Sequence, residues 1–171
     1  MLDRVDPPVE AQPERFEDFY MREYFAVVGL AYALSGSRWA AEDLAQEAFI
    51  AAHRDWERIS TYDRPGAWVR RVVANLSVSA FRRRVAEAKA LARIAFGQDA
   101  MPDFAAGDPE FWVAIRTLPP RQAQVVALHY LEDRSVAEIA EILAVTHGTV
   151  KRHLHDGRRS LGRRLSLEEE L

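Results

Sequence analysis

Six lysine and arginine residues crowd the segment from Thr146 to Leu165, where the only acid is Asp156. Guanidinium and ammonium groups pair with phosphate oxygens, and a guanidinium can also donate two hydrogen bonds to a base edge. The residue types and their density therefore predict contact with nucleic acid. The outward-facing residues of the predicted helix are Lys151, Arg152, His155, Arg158, Arg159, Arg163 and Arg164.

Two short amphipathic helices are predicted to position these cations. Ser135 and Glu138 have the spacing of a capping box at the start of the first helix, and Thr146 is a suitable N-cap for the second. Apolar residues then recur at helical spacing in both segments. Two helices joined by a tight turn, with cations along the second, are typical of a helix-turn-helix that enters the major groove of duplex DNA. A basic, solvated helix in an ordinary bundle is the alternative.

A strip of acidic and apolar residues occurs in the first half of the chain, at i, i+3, i+4 and i+7 of one predicted helix. Such a strip fits a basic groove on a partner protein, although a solvated helix face has the same pattern. A pair of metal ligands for nucleic-acid cleavage is a weaker alternative, because no further carboxylate or histidine follows at a ligand spacing. The strip consists of Asp43, Gln46, Glu47 and Ile50.

A second basic segment interleaves cations with amides and aromatic rings. Eight lysine and arginine residues but only two acids occur from Asp63 to Arg93. Rings that stack on bases and arginines that follow the backbone suit single-stranded nucleic acid. Trp68 equally fits a core position at the start of an amphipathic helix, so the residues alone leave both interpretations open. The segment includes Trp68, Arg70, Arg71, Asn75, Ser79, Phe81, Arg82, Arg83 and Arg84.

Helical periodicity extends over most of the chain and no segment alternates as a strand does, so the predicted fold class is all-α. Gly36 is expected to end the first helix, Ser37 to cap the second and Pro65 to begin the third. The predicted helices outside the helix-turn-helix cover about 14–34, 39–58, 65–84, 109–117 and 121–131.

A stretch rich in glycine, proline and acids, from Phe96 to Pro109, lacks helical periodicity and is predicted to be a flexible linker. It divides the chain into two small helical domains. We expect the first domain at 13–95, the linker at 96–108 and the second domain at 109–167.

The composition excludes several classes of function. The chain has 171 residues, a net charge of −3 and no cysteine, so disulfides, thiolate metal sites and thiol nucleophiles are ruled out. No serine lies in a nucleophile elbow, and no phosphate-binding glycine loop is present. We therefore expect no catalytic residue, metal site or cofactor. No apolar run is long enough to span a membrane, so we expect a cytoplasmic protein without membrane insertion.

In their order along the chain, these segments resemble a sigma factor of the sigma-70 family, specifically its extracytoplasmic-function group. AEDLAQEAF resembles region 2.2, and PGAWVRRVVANLSVSAFRRR resembles regions 2.3 and 2.4. LPPRQAQVVALHYLEDRSVAEIAEILAVTHGTVKRHLHDGRRSL resembles region 4. The resemblance runs from Phe16 to Leu165, and the joint order of the segments is more specific than any one of them.

The resemblance implies a subunit that is not itself an enzyme and that gives promoter specificity to core RNA polymerase. The strip would hold the clamp helices of the large core subunit through Asp43, Gln46, Glu47 and Ile50. The following basic helix would engage the minus-10 element of promoter DNA through Trp68, Arg70, Arg71, Asn75, Arg82 and Arg83. The second helix of the helix-turn-helix would bind the minus-35 element through Thr146, His147, Gly148, Thr149, Lys151, Arg152 and His155. An anti-sigma factor is a further partner that the resemblance allows.

Three positions depart from the family's pattern. Ala144 stands in the turn where the family usually has glycine, at a cost of roughly 1 kcal/mol if the left-handed conformation is kept. Asp156 and Gly157 stand where the family often has arginine and alanine; an acid repels phosphate, and a glycine loosens a helix by about 1 kcal/mol. Outside the family, the residues also fit a stand-alone helix-turn-helix regulator whose N-terminal half dimerises or senses a signal.

Overall fold

The computed structural model describes residues 14–90 and 109–168, with side chains described for 14–82 and 110–164. Over these residues all regular secondary structure is helical, which confirms the all-α prediction. The predicted linker at 96–108 lies outside the described residues, as do the side chains of Arg83 and Arg84. The helices are α1 (Phe16–Ser35), α2 (Arg38–Arg54), α3 (Trp56–Ile59), α4 (Pro65–Ala90), α5 (Pro109–Ile115), α6 (Pro120–Tyr130), α7 (Val136–Leu143) and α8 (His147–Glu168).

Helices α1, α2 and α4 pack together around the N-terminal part of the core. Gly36 ends α1 in the left-handed conformation, with φ 74°, and its N–H donates to the Tyr32 carbonyl at 2.8 Å. Ser37 then caps α2 by accepting a hydrogen bond from the Ala40 N–H. Both predicted boundaries are therefore confirmed. The fully buried side chains of this part include Phe19, Leu30, Ala45, Val69 and Val73.

The prediction of one continuous helix over 39–58 was wrong, because the chain breaks at Asp55. Trp56 begins the short helix α3 instead, and its indole N–H donates to the Glu14 carbonyl at 3.0 Å. The Trp56 ring also meets the rings of Phe16 and Phe19. The break thus allows the Trp56 ring to turn away from the direction of α2 and to pack on the rings at the start of α1.

Helices α7 and α8 form the predicted helix-turn-helix, packed on α6. Both halves of the capping box are present: Glu138 N–H donates to Ser135 Oγ, and Ser135 N–H donates to the Glu138 carboxylate at 2.9 Å. The backbone hydrogen bond from Ser135 is the main reason why the pKa of Glu138 falls to about 2. Thr146 caps α8 by accepting from the Thr149 N–H at 3.2 Å.

The inner faces of the helix-turn-helix are as predicted where side chains are described. Ile139, Val150, Leu154 and Leu161 are buried against one another and against α6. No helix among the described residues is long and apolar enough to cross a membrane.

Candidate DNA-binding and polymerase-binding surfaces

The N-terminal half of α8 presents its polar residues to solvent while its apolar residues hold it in place. Val150 and Leu154, on the inner face of this helix, are buried. Of the seven residues predicted for the minus-35 element, Thr149 is half-buried, in the turn that caps the helix. The exposed ones are Thr146, His147, Gly148, Lys151, Arg152 and His155. The structure thus brings this set together on one accessible helix end, the geometry that major-groove contact requires.

The turn before α8 is built around the residue that departs from the family's pattern. Ala144 has φ 53° and ψ 49°, so it does adopt the left-handed conformation expected there. Its N–H still bonds to a carbonyl at the end of α7, which closes the helix. A side chain in the left-handed conformation is strained, and here that strain lies in the turn that sets the angle between α7 and α8.

Gly157 has a packing role that the sequence analysis missed. It is buried, and a Cβ placed on it would lie 2.7 Å from Cγ2 of Val126 on α6. The expectation that this glycine simply loosens the helix is therefore incomplete, because its missing side chain is what allows α8 to lie against α6. The sequence does not show that Gly157 faces another helix. Only the contact with Val126 in the folded protein reveals its packing role.

Arg158 is exposed, as predicted for the outer basic face, and it also contacts α6. Its guanidinium donates to the Tyr130 hydroxyl at 2.7 Å and lies 3.1 Å from His129 Nε2. It also lies over the Tyr130 ring. This exposed arginine therefore also links α8 to α6.

The four residues of the predicted polymerase-binding strip, Asp43, Gln46, Glu47 and Ile50, are all exposed on α2. Gln46 and Ile50 also line a surface groove of about 540 Å³ between α1 and α2. Rings form much of that groove, and Tyr20 and Phe49 lie 4.8 Å apart, centroid to centroid. Neither ring belongs to the predicted strip, because Tyr20 lies on α1 and Phe49 lies on the buried side of α2. The other residues that line the groove are Phe16, Tyr24, Glu42, His53 and Arg54.

The residues predicted on α4 for the minus-10 element divide between two faces of the helix. Asn75 and Arg82 are exposed. Trp68 is half-buried and packs against the hydrophobic core, which favours the core interpretation that the sequence left open. Trp68 also lines a cavity of about 350 Å³ with Tyr62, a residue that lies between the predicted helices over 39–58 and 65–84.

Arg70, by contrast, is not accessible in this arrangement, because only 2% of its surface is exposed. Its guanidinium donates to Glu23 of α1 at 2.7 Å and pairs with Glu132, which lies in the turn between α6 and α7. Burial by itself lowers the pKa of Arg70, but the two carboxylates outweigh burial and raise it. Burial likewise acts to raise the pKa of Glu23, and Arg70 reverses this so that the pKa is lowered.

Comparison with known proteins identifies these regions. The family model described as "Sigma-70 region 2" matches residues 19–87, and the model described as "Sigma-70, region 4" matches residues 110–161. The RNA polymerase sigma-E factor of Streptomyces coelicolor is 30% identical over 157 residues, which cover 91% of this chain and 85% of that protein. The ECF RNA polymerase sigma factor SigW of Bacillus subtilis is 29% identical over 151 residues, covering 80% and 81%.

The chain belongs to the extracytoplasmic-function group of the sigma-70 family. The fold agrees with that of a solved sigma factor, RpoE of Bartonella quintana in complex with the anti-sigma factor NepR. That structure aligns with a TM-score of 0.73 at 22% identity, over 88% of this chain and 96% of the other. This sigma factor therefore serves transcription initiation, as the resemblance implied.

In this sigma factor, the region 2 match contains α2 and α3 and most of α1 and α4, and the region 4 match runs from α5 into α8. The strip of α2 and the exposed residues of α4 lie in region 2, and the exposed end of α8 lies in region 4. Arg70 and Glu132 belong to different regions, so their ion pair joins the two halves of the sigma factor. Among the described residues, no group of three or more histidine, aspartate or glutamate side chains could hold a metal ion.

Proposed function

We propose that this sigma factor directs core RNA polymerase to promoters through one polymerase-binding strip and two DNA-binding helices. The observation that carries the proposal is the exposed N-terminal end of α8, where Lys151 and Arg152 project from a helix fixed by Val150 and Leu154. A rigid, basic helix end of this kind donates to base edges and phosphates in the major groove. We assign the minus-35 element to Thr146, His147, Gly148, Thr149, Lys151, Arg152 and His155.

The strip on α2 is the proposed contact with the clamp helices of core polymerase. Asp43 and Glu47 supply negative charge, and Ile50 supplies an exposed apolar contact one turn further on. The adjoining aromatic groove extends the apolar part of this surface. Charge complementarity at the rim with an apolar centre is the usual composition of a protein interface.

Helix α4 is the proposed contact with the minus-10 element. Asn75 and Arg82 are available on its exposed face, and Trp68 and Tyr62 line a cavity beside it. A flipped base needs stacking and hydrogen bonds to offset an unstacking cost of a few kcal/mol. Arg70, Arg71 and Arg83 complete the proposed set, with Arg70 taking part only after its ion pairs open.

Several further properties follow from this role. The protein gives specificity to the polymerase and performs no chemistry itself, so we propose no catalytic residue. We place it in the cytoplasm because its relatives are named as RNA polymerase sigma factors, and RNA polymerase acts inside the cell. An anti-sigma factor is a proposed partner, since RpoE of Bartonella quintana was solved in complex with one.

Reconstituted transcription tests the proposal. Purified protein, core polymerase and a library of promoter fragments should give transcripts with defined start sites. Lys151→Ala with Arg152→Ala should weaken promoter selection but leave polymerase binding intact, whereas Asp43→Ala with Glu47→Ala should do the reverse. Arg163→Ala and Glu57→Ala are the matched controls, because both residues are exposed and lie outside the proposed surfaces.

Failure to bind core polymerase under all conditions would refute the proposed function. Tight duplex binding without polymerase would instead favour the stand-alone regulator. Metal-dependent DNA cleavage that Asp43→Ala abolishes would favour a nuclease. If both pairs of substitutions only lower the stability of the protein, the assignment of the surfaces is wrong.

A further inference from the structure

The hydrogen bonds and ion pairs between the two halves of this sigma factor start mostly from residues in or next to α4, beside an apolar cluster to which both halves contribute. Arg70 pairs with Glu132 across the junction. Gln124 of α6, only 1% exposed, donates from Nε2 to the Ala74 carbonyl at 2.6 Å. Arg64, just before α4, lies 3.4 Å from the Glu141 carboxylate and 3.6 Å from that of Glu138. Region 4 is thus docked on the helix proposed to bind the minus-10 element.

Arg71 strengthens this docking by capping α7. Its Nε donates to the Ile142 carbonyl at 2.9 Å, and its terminal nitrogen donates to the Glu141 carbonyl at 2.6 Å. The last carbonyls of a helix have no partner within the helix and carry partial negative charge, so a cation there is favourable. An arginine of region 2 therefore completes the first helix of the helix-turn-helix in region 4.

These acceptors have the chemistry of a phosphate backbone. Carboxylate and carbonyl oxygens of region 4 occupy the guanidinium donors that would otherwise meet phosphate oxygens. Glu141 also lines the cavity that holds Tyr62 and Trp68. A DNA strand and region 4 cannot both occupy Arg70 and Arg71.

We propose that region 4 inhibits minus-10 binding in the free protein by docking on α4, with Glu132 and the carbonyls of α7 acting as substitutes for DNA. The proposal rests on the proposed function, because it assumes that α4 contacts promoter DNA. The strip with Asp43 and Glu47 and the helix end with Lys151 remain exposed in the docked form. Core polymerase can therefore bind first, and the minus-10 surface opens afterwards.

The docked form also contains a feature that favours its release. The Glu132 side chain is only 5% exposed, and its Oε2 accepts from both Arg70 and Arg134. Its Oε1 is buried and accepts no hydrogen bond from the part of the chain that the structure describes. A buried acceptor left unpaired costs free energy that hydration would recover. Separation of the two regions recovers it, so the contact is suited to reversible docking.

The double variant Glu132→Gln with Gln124→Ala tests the proposal in the full-length chain. It removes the charge and the amide that region 4 offers to α4, while Arg70 keeps Glu23 and the Gly66 carbonyl within its own domain. Glu17→Gln is the control, because it removes the same charge from an exposed pair with Arg15. Circular dichroism checks that each variant is folded, and Glu132→Gln alone replaces the double variant if Gln124→Ala unfolds the protein.

The first measurement is the separation of the two regions. The chain has no cysteine, so Glu57→Cys and Arg159→Cys give two unique labelling sites for spin labels. Dipolar spectroscopy should show a narrow distance distribution in the parent and in Glu17→Gln, and added longer distances in the double variant. An unchanged distribution in the double variant would overturn the proposal.

The second measurement is the affinity for a fluorescein-labelled pool of short single-stranded DNA of random sequence, followed by anisotropy. If the open form is about a tenth of the parent population, opening should tighten binding by up to about tenfold. Glu17→Gln should match the parent apart from the small effect of one lost charge. Equal affinities in a double variant whose regions have separated would also overturn the proposal. The spin-label distances are measured without polymerase. They therefore still test the docking of the two regions if the transcription experiment refutes the proposed function.

Discussion

Helices α4 and α8 are both amphipathic and basic, yet their cations have different surroundings. On α8, Lys151 and Arg152 project into solvent from a helix whose apolar face is already packed. On α4, Arg70 and Arg71 are engaged by oxygens of the other region, whereas Asn75 and Arg82 of the same helix are exposed. Charge density alone therefore does not tell which cations are free to bind DNA. The acids and helix ends packed against a basic helix decide it.

Helices α8 and α4 also differ in the contacts that hold them in place. α8 is held by apolar contacts and by the close approach at Gly157, so its exposed end is fixed within its own domain. The guanidinium groups of Arg70 and Arg71 on α4 are covered by hydrogen bonds and an ion pair, which water and salt weaken far more than they weaken apolar burial. On the proposed function, the minus-35 surface is therefore always exposed, and the minus-10 surface is fully exposed only when the two regions separate.

The strongest test of this contrast is Arg70→Met against Arg152→Met. Loss of Arg70 leaves Glu23 and Glu132 without their main partner, so the free energy of unfolding should fall by about 3 kcal/mol. Arg152 is exposed, and its loss should change that free energy by at most about 0.5 kcal/mol. Urea denaturation measures both. Equal small effects would mean that Arg70 is no more constrained than the cations of α8.

The same variant has a defined pH dependence. The lowered pKa of Glu23 means that its ion pair stabilises the fold above the ordinary value of 4.5 and that this contribution is lost as pH falls through the lower folded value. The stability gap between the parent and Arg70→Met should therefore be widest at neutral pH and narrow in acid. A gap that stays constant with pH would contradict the ion-pair explanation.

The next largest effect should come from the packed side of α8. Gly157→Ala places a methyl group against Val126 and should cost about 1–3 kcal/mol in the free energy of unfolding. Gly162→Ala is the matched control, since a Cβ there meets nothing within 4 Å. It should stabilise the helix by roughly 0.8 kcal/mol, because alanine is the better helix former. Urea denaturation of both variants should give opposite signs, and a stabilising Gly157→Ala would refute the close approach of α8 and α6.

A smaller effect is expected at the start of α7, the helix that contacts both α4 and α8. Ser135→Ala removes the hydrogen bonds of the Ser135 hydroxyl but keeps the backbone N–H that donates to Glu138, and it should lower the free energy of unfolding by about 1 kcal/mol. The pKa of Glu138, now about 2, should rise only part of the way toward its ordinary value of 4.5 in this variant, because the backbone N–H of residue 135 still donates to its carboxylate. The parent keeps the stabilisation from ionised Glu138 above pH 4.5 and loses it as pH falls toward 2, so the gap should close over that interval. Denaturation at neutral and acid pH measures it, with Ser79→Ala on the exposed face of α4 as the control.

The smallest effect should occur at Ala144, where α7 turns toward α8. Glycine adopts the left-handed conformation without the penalty of a side chain, which is roughly 1 kcal/mol. Ala144→Gly should therefore raise the free energy of unfolding by up to about that amount, less the entropy that glycine loses on folding. Thermal denaturation monitored by circular dichroism measures the change. A clear loss of stability would show that the methyl group of Ala144 contributes to packing.

Local signals made much of the fold predictable. The capping box at Ser135 and Glu138, the left-handed glycine at position 36 and the N-cap at Thr146 depend on neighbours a few residues away, and all three are present as predicted. The break at Asp55 was missed because it depends on where the Trp56 ring packs, and that contact joins residues far apart in the chain.

The sequence by itself determined the all-α class, the helix-turn-helix and the family, because helical periodicity, caps and motif order are properties of local spacing. It also determined which residues carry charge. Only the tertiary structure decided which charges are exposed: Arg70 and Arg152 look alike in the sequence, but Arg70 meets Glu132, a residue sixty-two positions away, and Arg152 meets solvent. The physical reason is that an ion pair of this kind depends on how distant segments pack, and no local pattern records that packing.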